Sequence, residues 1–429
     1  MNILEHISHE KFRKYLLFIA VCGFIVHFIP ALFTTIEPQS DALDYHQLAV
    51  NIAEHHAYEI QGHATAYRPI GFPAVLGAVY SISPNVMLGQ ILQSILIAVS
   101  GLLIALIIVH ASQSYRLGVI GAVLWNILPI TFAQSLVLMS EPLAITTMLA
   151  GIYFWMIANN KKYVLLAGIC LGISILTRPT FVFVIPAFFI VREKHSDNIS
   201  LLKKGAILIA GIMIAISPWL IRNYNVMGKA MLSTNGGINA FIGNNPEANG
   251  SYKVVKLMHT FDGMHEVPAD KFAMHLSVQY MLEHPVQTLT MIPKKIAYLF
   301  SSDAYVSLEL FAKADTNYRA MIQSLSLWQL FLFIIPGAGV FLGGLLTLPL
   351  IKEQYIGKII IACMILWMAA HALFFGSPRY HEPLIPFMII AIVLGLNSLK
   401  TRWSSSLLLL PIFQIAVYAA ELTVYFIKH

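Results

Sequence analysis

The chain has 429 residues, of which 58% are hydrophobic and only 11% charged, with a formal net charge of +6. Soluble domains carry about 25% charged residues, so this composition excludes a soluble globule and makes lipid the main solvent. The three cysteines (Cys22, Cys170 and Cys363) all lie in apolar runs, which argues against a disulfide framework or a zinc site.

In chain order, Lys11, Arg13 and Lys14 precede an apolar run with no convincing small-residue cleavage site after it, so the run reads as a span and not as a signal peptide. A membrane-crossing helix needs about 20 apolar residues. That length predicts spans over 15–36, 85–109, 117–136, 143–158, 163–176, 179–191, 205–220, 327–351, 357–375, 383–396 and 404–426. The predicted fold class is an all-α polytopic membrane protein with about 11 transmembrane helices, a single membrane domain over 1–429. With the N-terminus inside, the short inner connections collect Arg116, Lys161, Lys162, Arg192, Lys194, Lys203, Lys204, Lys352, Lys358, Lys400 and Arg402. This is the basic bias expected of cytoplasmic loops. Two long segments then face outward, 37–84 and 222–326. The apolar stretch 66–83 is read as lying along the surface or dipping in and returning, because counting it as a span would invert every basic cluster downstream.

Charge is scarce, so each charged residue in an outer turn is informative. Ser40-Asp41-Ala42-Leu43-Asp44-Tyr45-His46-Gln47 has helical spacing, with Ser40 in place to cap the helix and Asp41 in its first turn. As a lone feature, Asp41 reads as an acid favoured by the helix dipole. Further on come Tyr67-Arg68-Pro69, Ser140-Glu141-Pro142, Thr177-Arg178-Pro179, Ile221-Arg222-Asn223 and Pro378-Arg379-Tyr380. Any one of these arginines could snorkel to headgroups. Two acids and four arginines on one membrane face are better explained by a phosphate site, because charge is costly at such depths and guanidinium suits bidentate phosphate binding.

These motifs, with Ser233-Thr234-Asn235-Gly236-Gly237 and Gly243-Asn244-Asn245-Pro246, resemble the GT-C glycosyltransferases of the protein O-mannosyltransferase and lipid A aminoarabinose transferase type. The resemblance implies a GT-C-like helical bundle with extracytoplasmic loops and interfacial helices. It implies transfer of a sugar from a polyprenyl-phosphate donor at the periplasmic face of the inner membrane. Asp41 matches the family's general base and Glu141 its second acidic position. Arg68, Arg178, Arg222 and Arg379 become candidates for the carrier phosphate. Asp44, Tyr45, Tyr67, Asn235, Asn244 and Tyr380 complete the expected substrate-binding set. Ala42 stands where the best-known members carry Glu directly after the aspartate, a departure that bears on acceptor binding.

The chemistry is reasonable on its own terms. A sugar phosphate carries its own leaving group, so the site needs a carboxylate for the acceptor proton and fixed positive charge for the departing phosphate. A single displacement inverts the anomeric centre. Asp44 is the competing base, and Asp41 is preferred for its spacing to Tyr45. No cofactor is expected, and a divalent cation is possible but not indicated. His46, His55, His56 and His63 lack metal-site spacing and read as solvent-facing. The residues from Asn235 to Gly250 read first as turns, whose amides can also cradle anions. His27, His371 and Glu421 fall inside spans, and 285–301, with Lys294 and Lys295, reads as an amphipathic helix on the outer interface. Expected partners are the lipid-linked donor, membrane lipid and an acceptor that is lipid A, protein or glycan, with no nucleic acid. A transporter or flippase would place charge near mid-membrane, often in repeats. An O-antigen polymerase or ligase leaves the Asp41 and Arg68 segments without a role.

Overall fold

A chain this apolar can cross lipid only in structures that satisfy their own backbone hydrogen bonds, and helices form almost throughout. The computed structural model describes residues 9–33, 36–192, 198–253, 256–303, 326–398 and 414–419. The first half contains α1 (His9–Phe33), α2 (Asp41–His55), a two-stranded hairpin of β1 (Glu59–Ile60) and β2 (His63–Ala64), α3 (Gly71–Tyr80), α4 (Val86–Ser112), α5 (Tyr115–Asn126), α6 (Pro129–Leu136), α7 (Glu141–Met156) and α8 (Lys161–Thr177). Next come a 3-10 turn (Pro179–Val184), α9 (Ala187–Ile190) and α10 (Asn198–Met227). The outer segment adds α11 (Gly236–Gly243), α12 (Glu266–Glu283) and α13 (Pro285–Leu299). Then come α14 (Leu327–Thr347), α15 (Tyr355–Leu373) and α16 (Ile385–Ser398), with a 3-10 turn (Pro378–Leu384) leading into α16, and residues 414–419 are helical as well.

Among the described residues, six helical runs are long and apolar enough to cross a membrane, and a bent pair raises this to seven. The difference from eleven has local causes. The 117–136 stretch breaks before Pro129, and α5 and α6 meet at 57°, because proline withholds a backbone donor and clashes with the preceding turn. The 179–191 stretch, punctuated by Pro179 and Pro186, forms a 3-10 turn and a four-residue helix. Helices α7 and α8 have 16 and 17 residues, about 25 Å at the rise of an α-helix. The expected 404–426 span lies largely outside the described residues. Helix α3 has ten residues, about half of what a crossing requires.

Helix packing relies on small residues and short hydrogen bonds. A Cβ at Gly168 would strike the backbone of Leu208, so α8 and α10 can approach this closely only with glycine there. Ser100 and Thr146 (2.8 Å) tie α4 to α7, and Thr147 and Ser174 (2.7 Å) tie α7 to α8. Trp125, Trp155 and Trp367 are fully buried between helices. Glu141 begins α7 and Arg178 follows α8, two adjacent antiparallel helices, so both lie at one end of the bundle. Lys161 and Lys162, which open α8, lie at the other end.

Candidate active site

Asp41 enters α2 from Ser40, whose φ of 51° turns the chain sharply into the helix. Ser40 makes no side-chain cap, contrary to the expectation from sequence. Burial of Ala42, Tyr45, Leu48 and Ala49 fixes the helix against α3, with the Tyr45 ring edge-on to Phe72 at 5.3 Å. That leaves the Asp41 and Asp44 carboxylates on the side facing Arg68. Arg68 Nη2 donates to Asp41 Oδ1 at 2.6 Å, and its Nε donates to Asp44 Oδ2 at 2.9 Å. Arg379, at the start of the turn before α16, donates through Nη1 to Asp41 Oδ2 at 2.6 Å. Its Nε and Nη2 donate to Glu141, the latter at 3.2 Å. Arg178 also donates to Glu141.

The result is one alternating chain of charge: Asp44, Arg68, Asp41, Arg379, Glu141, Arg178. It joins five stretches of sequence that are far apart. The Glu141 side chain is 1% exposed and the Asp41 side chain 26%. Glu141 is therefore an interior counter-ion and Asp41 an accessible one. Burial by itself would raise the Asp41 carboxyl, but the Arg379 and Arg68 guanidiniums outweigh it and lower the group to about 2. Aromatic rings line the arginines. The Arg68 guanidinium lies 5.0 Å from the Tyr67 ring and 5.7 Å from Tyr45, and Arg178 lies 5.2 Å from Tyr380. Tyr45 Oη donates to Ser140 Oγ at 3.4 Å, beside Glu141.

Three residues expected to bind substrate are engaged elsewhere. Arg222 donates to the carbonyls of Thr65 (2.7 Å) and Tyr58 (2.9 Å), and Tyr58 Oη in turn donates to the Arg68 carbonyl at 2.7 Å. Arg222 thus buttresses the Arg68 loop from behind. Asn235 accepts from Ser233 Oγ at 2.8 Å at the start of α11. Asn244 is buried, donates to the Leu373 carbonyl at 2.7 Å and accepts from Lys295 Nζ at 2.8 Å.

Several supporting groups carry no motif in the sequence. Glu266 opens α12 and accepts from Thr65 Oγ1 (2.5 Å), the Ala66 amide (3.0 Å) and Thr234 Oγ1 (2.7 Å), pinning the approach to Arg68. Lys295 is fully buried, contrary to the interfacial expectation, and donates to the Ala372 carbonyl at 3.1 Å. Buried His381, two residues after Arg379, contacts Asp303 at 2.6 Å and the Leu299 carbonyl at 2.8 Å. Among the described residues, no group of three or more His, Cys, Asp or Glu side chains is placed to hold a metal ion.

An open apolar groove of about 520 Å³ lies between α8, the 3-10 turn and α9 that follow it, and α10, lined by Ile175, Val182, Phe189, Ile209, Met213 and Leu232. Ile175 is one helical turn before Arg178.

Residues 67–221 match the family model described as dolichyl-phosphate-mannose-protein mannosyltransferase. Two solved structures share the fold. The apo oligosaccharyltransferase of Archaeoglobus fulgidus aligns with a TM-score of 0.53 at 13% identity, over 98% of this chain and 56% of that one. The same organism's oligosaccharyltransferase AglB, in complex with an inhibitory peptide and a dolichol-phosphate, aligns with a TM-score of 0.50 at 13% identity, over 97% of this chain and 55% of that one. The chain therefore spans little more than half the length of these structural relatives. No curated protein matches its sequence significantly. The multi-pass helical architecture is thus shared with these archaeal oligosaccharyltransferases, and the family-model match covers about a third of the chain.

Proposed function

We propose that the protein transfers a sugar from a polyprenyl-phosphate carrier to an acceptor hydroxyl, with inversion. Asp41 is the general base, and Arg68, Arg379 and Arg178 stabilise the carrier phosphate. The observation that carries this reading is the ion-pair chain itself. Two guanidiniums from distant segments, Arg68 and Arg379, converge on the accessible Asp41, and Arg379 with Arg178 clasps the buried Glu141 beside it, at one end of a membrane bundle. The acceptor oxygen attacks the anomeric carbon, its proton passes to Asp41, and the bond to the phosphate oxygen breaks. The arginines stabilise the negative charge that develops there. The open apolar groove that includes Ile175, one helical turn before Arg178, is suited to an isoprenoid chain. The dolichol-phosphate in the archaeal oligosaccharyltransferase supports a lipid phosphate as the shared chemistry. The site end is read as periplasmic, in an inner-membrane protein.

The test is transfer of radiolabel from a polyprenyl-phosphate sugar into membrane glycoconjugates. Activity in the wild type and its loss in Asp41→Asn, with the variant folded, is the expected result. Full activity in Asp41→Asn would remove the base from the scheme.

A further inference from the structure

We infer that Asp41 competes with the donor phosphate for Arg68 and Arg379, and that donor binding, by taking over these guanidiniums, turns Asp41 into a base. This rests on the proposed sugar transfer and adds an order to it: the donor binds first, and the acceptor is deprotonated afterwards.

The geometry motivates the competition. Each Asp41 oxygen accepts a 2.6 Å bond from a different arginine. Both oxygens thus hold guanidinium protons of the kind a phosphate would take. The network pairs three guanidiniums with Asp41, Asp44 and Glu141. If every pair persisted, an incoming phosphate would find no net positive charge in it. The three carboxylates differ in how firmly they are held. Glu141 is sealed between Arg178 and Arg379, and removing it would leave buried charge unpaired. Asp44 grips Arg68 through Nε and Nη2. Asp41 is more accessible than Glu141 and is the one carboxylate shared by Arg68 and Arg379, so displacing it leaves both arginines oriented by their other partners.

Freedom and basicity then change together. While Asp41 is clasped, the Arg379 and Arg68 charges overcome the opposing effect of burial and keep its carboxyl near 2, a poor proton acceptor. Once a phosphate oxygen engages those arginines, Asp41 loses its stabilising partners and gains an anionic neighbour, and both changes raise its proton affinity. The base therefore becomes competent only beside a bound donor, which also disfavours deprotonating an acceptor with no sugar to receive.

The test uses full-length protein in nanodiscs and a farnesyl methyl phosphodiester, which carries one charge and does not titrate near pH 5. Calorimetric titration should show Asp41→Asn binding the diester about tenfold more tightly than wild type, because a competing internal ligand is gone. Arg68→Ala and Arg379→Ala should bind it more weakly. Equal or weaker binding by Asp41→Asn overturns the inference while leaving the transferase reading intact. If neither wild type nor variant binds the diester, both fall. A second measurement needs no variant. Titrations of wild type in buffers of different ionisation enthalpy should reveal proton uptake on binding that grows as pH is lowered from 6 to 4.5. Zero uptake across that range also overturns the inference.

Discussion

Glu141 and Asp41 share Arg379 but sit in different solvents, and their substitutions should differ accordingly. Glu141→Gln leaves two guanidiniums facing a neutral amide in the interior. Breaking a buried pair in this way costs about 3–5 kcal/mol, so the detergent-solubilised variant should unfold well below wild type in a thermal scan. Asp41→Asn removes a more exposed charge. It should stay folded but unfold modestly below wild type at neutral pH, by less than Glu141→Gln, while transfer falls by about 10²–10⁴-fold, the range of a lost general base. Asp41 also has a pH signature. Its carboxyl is about 2 when folded against an ordinary value of 3.8. The stability it contributes is fully present above about 4 and is lost as pH falls from 4 towards 2. Acid unfolding of wild type and of Asp41→Asn should therefore converge below pH 4. Glu141, Arg178 and Arg379 were legible in the sequence because a charged group beside proline is conspicuous in so apolar a chain, whereas Asp41 by itself read as a capping acid and was singled out by the family resemblance. Arg222 was equally conspicuous, yet its guanidinium serves the carbonyls of Thr65 and Tyr58. Sequence exposes an expensive charge but not the partner that meets it.

At the scale of elements, the turn carrying Arg379 is positioned by a latch whose residues the sequence marked but whose pairing it did not reveal. Lys295 on α13 and Asn244 after α11 satisfy the Ala372 and Leu373 carbonyls at the end of α15, groups a helix terminus leaves without intrahelical partners. The Gly376 amide donates to the Gly250 carbonyl at 2.9 Å, which joins the two loops three residues before Arg379. The amphipathic pattern of 285–301 was readable. Which of its two adjacent lysines turns inward was not, because that depends on helices far away in sequence. Burial lowers the Lys295 ammonium from 10.5 to about 8. Between those values the unfolded chain binds a proton that the native protein does not, so raising pH across this window favours the native state. Denaturant unfolding should show wild type gaining stability from pH 8 towards 10.5, with that component of the slope absent in Lys295→Met. An identical slope in both would assign the gain to other groups. The same limit explains the helix count. Hydropathy marks 117–136 as one apolar stretch, while the bend before Pro129 is set by backbone chemistry within it.

At the scale of the whole molecule, the distribution of charge carries the remaining argument. The ion-pair network closes one end of the bundle. Lys161 and Lys162, opening α8, lie at the other end, as do Lys352 between α14 and α15 and Lys358 in the first turn of α15. Short basic connections are retained on the cytoplasmic side, so the end holding Asp41, Glu141 and Arg379 should face away from the cytoplasm. The overall bundle was legible because lipid forces backbone pairing into helices and leaves the charges to declare the sides. Orientation can be read by thiol labelling in a background in which Cys22, Cys170 and Cys363 are replaced by alanine. Gln287→Cys, exposed on α13 near the latch, should react with a membrane-impermeant maleimide in intact cells stripped of any outer barrier. Asn159→Cys, exposed in the α7–α8 connection, should react only after lysis. The reverse pattern would put the carboxylate network in the cytoplasm, where the acceptor pool differs, and the proposed reaction would have to be reassigned to that face.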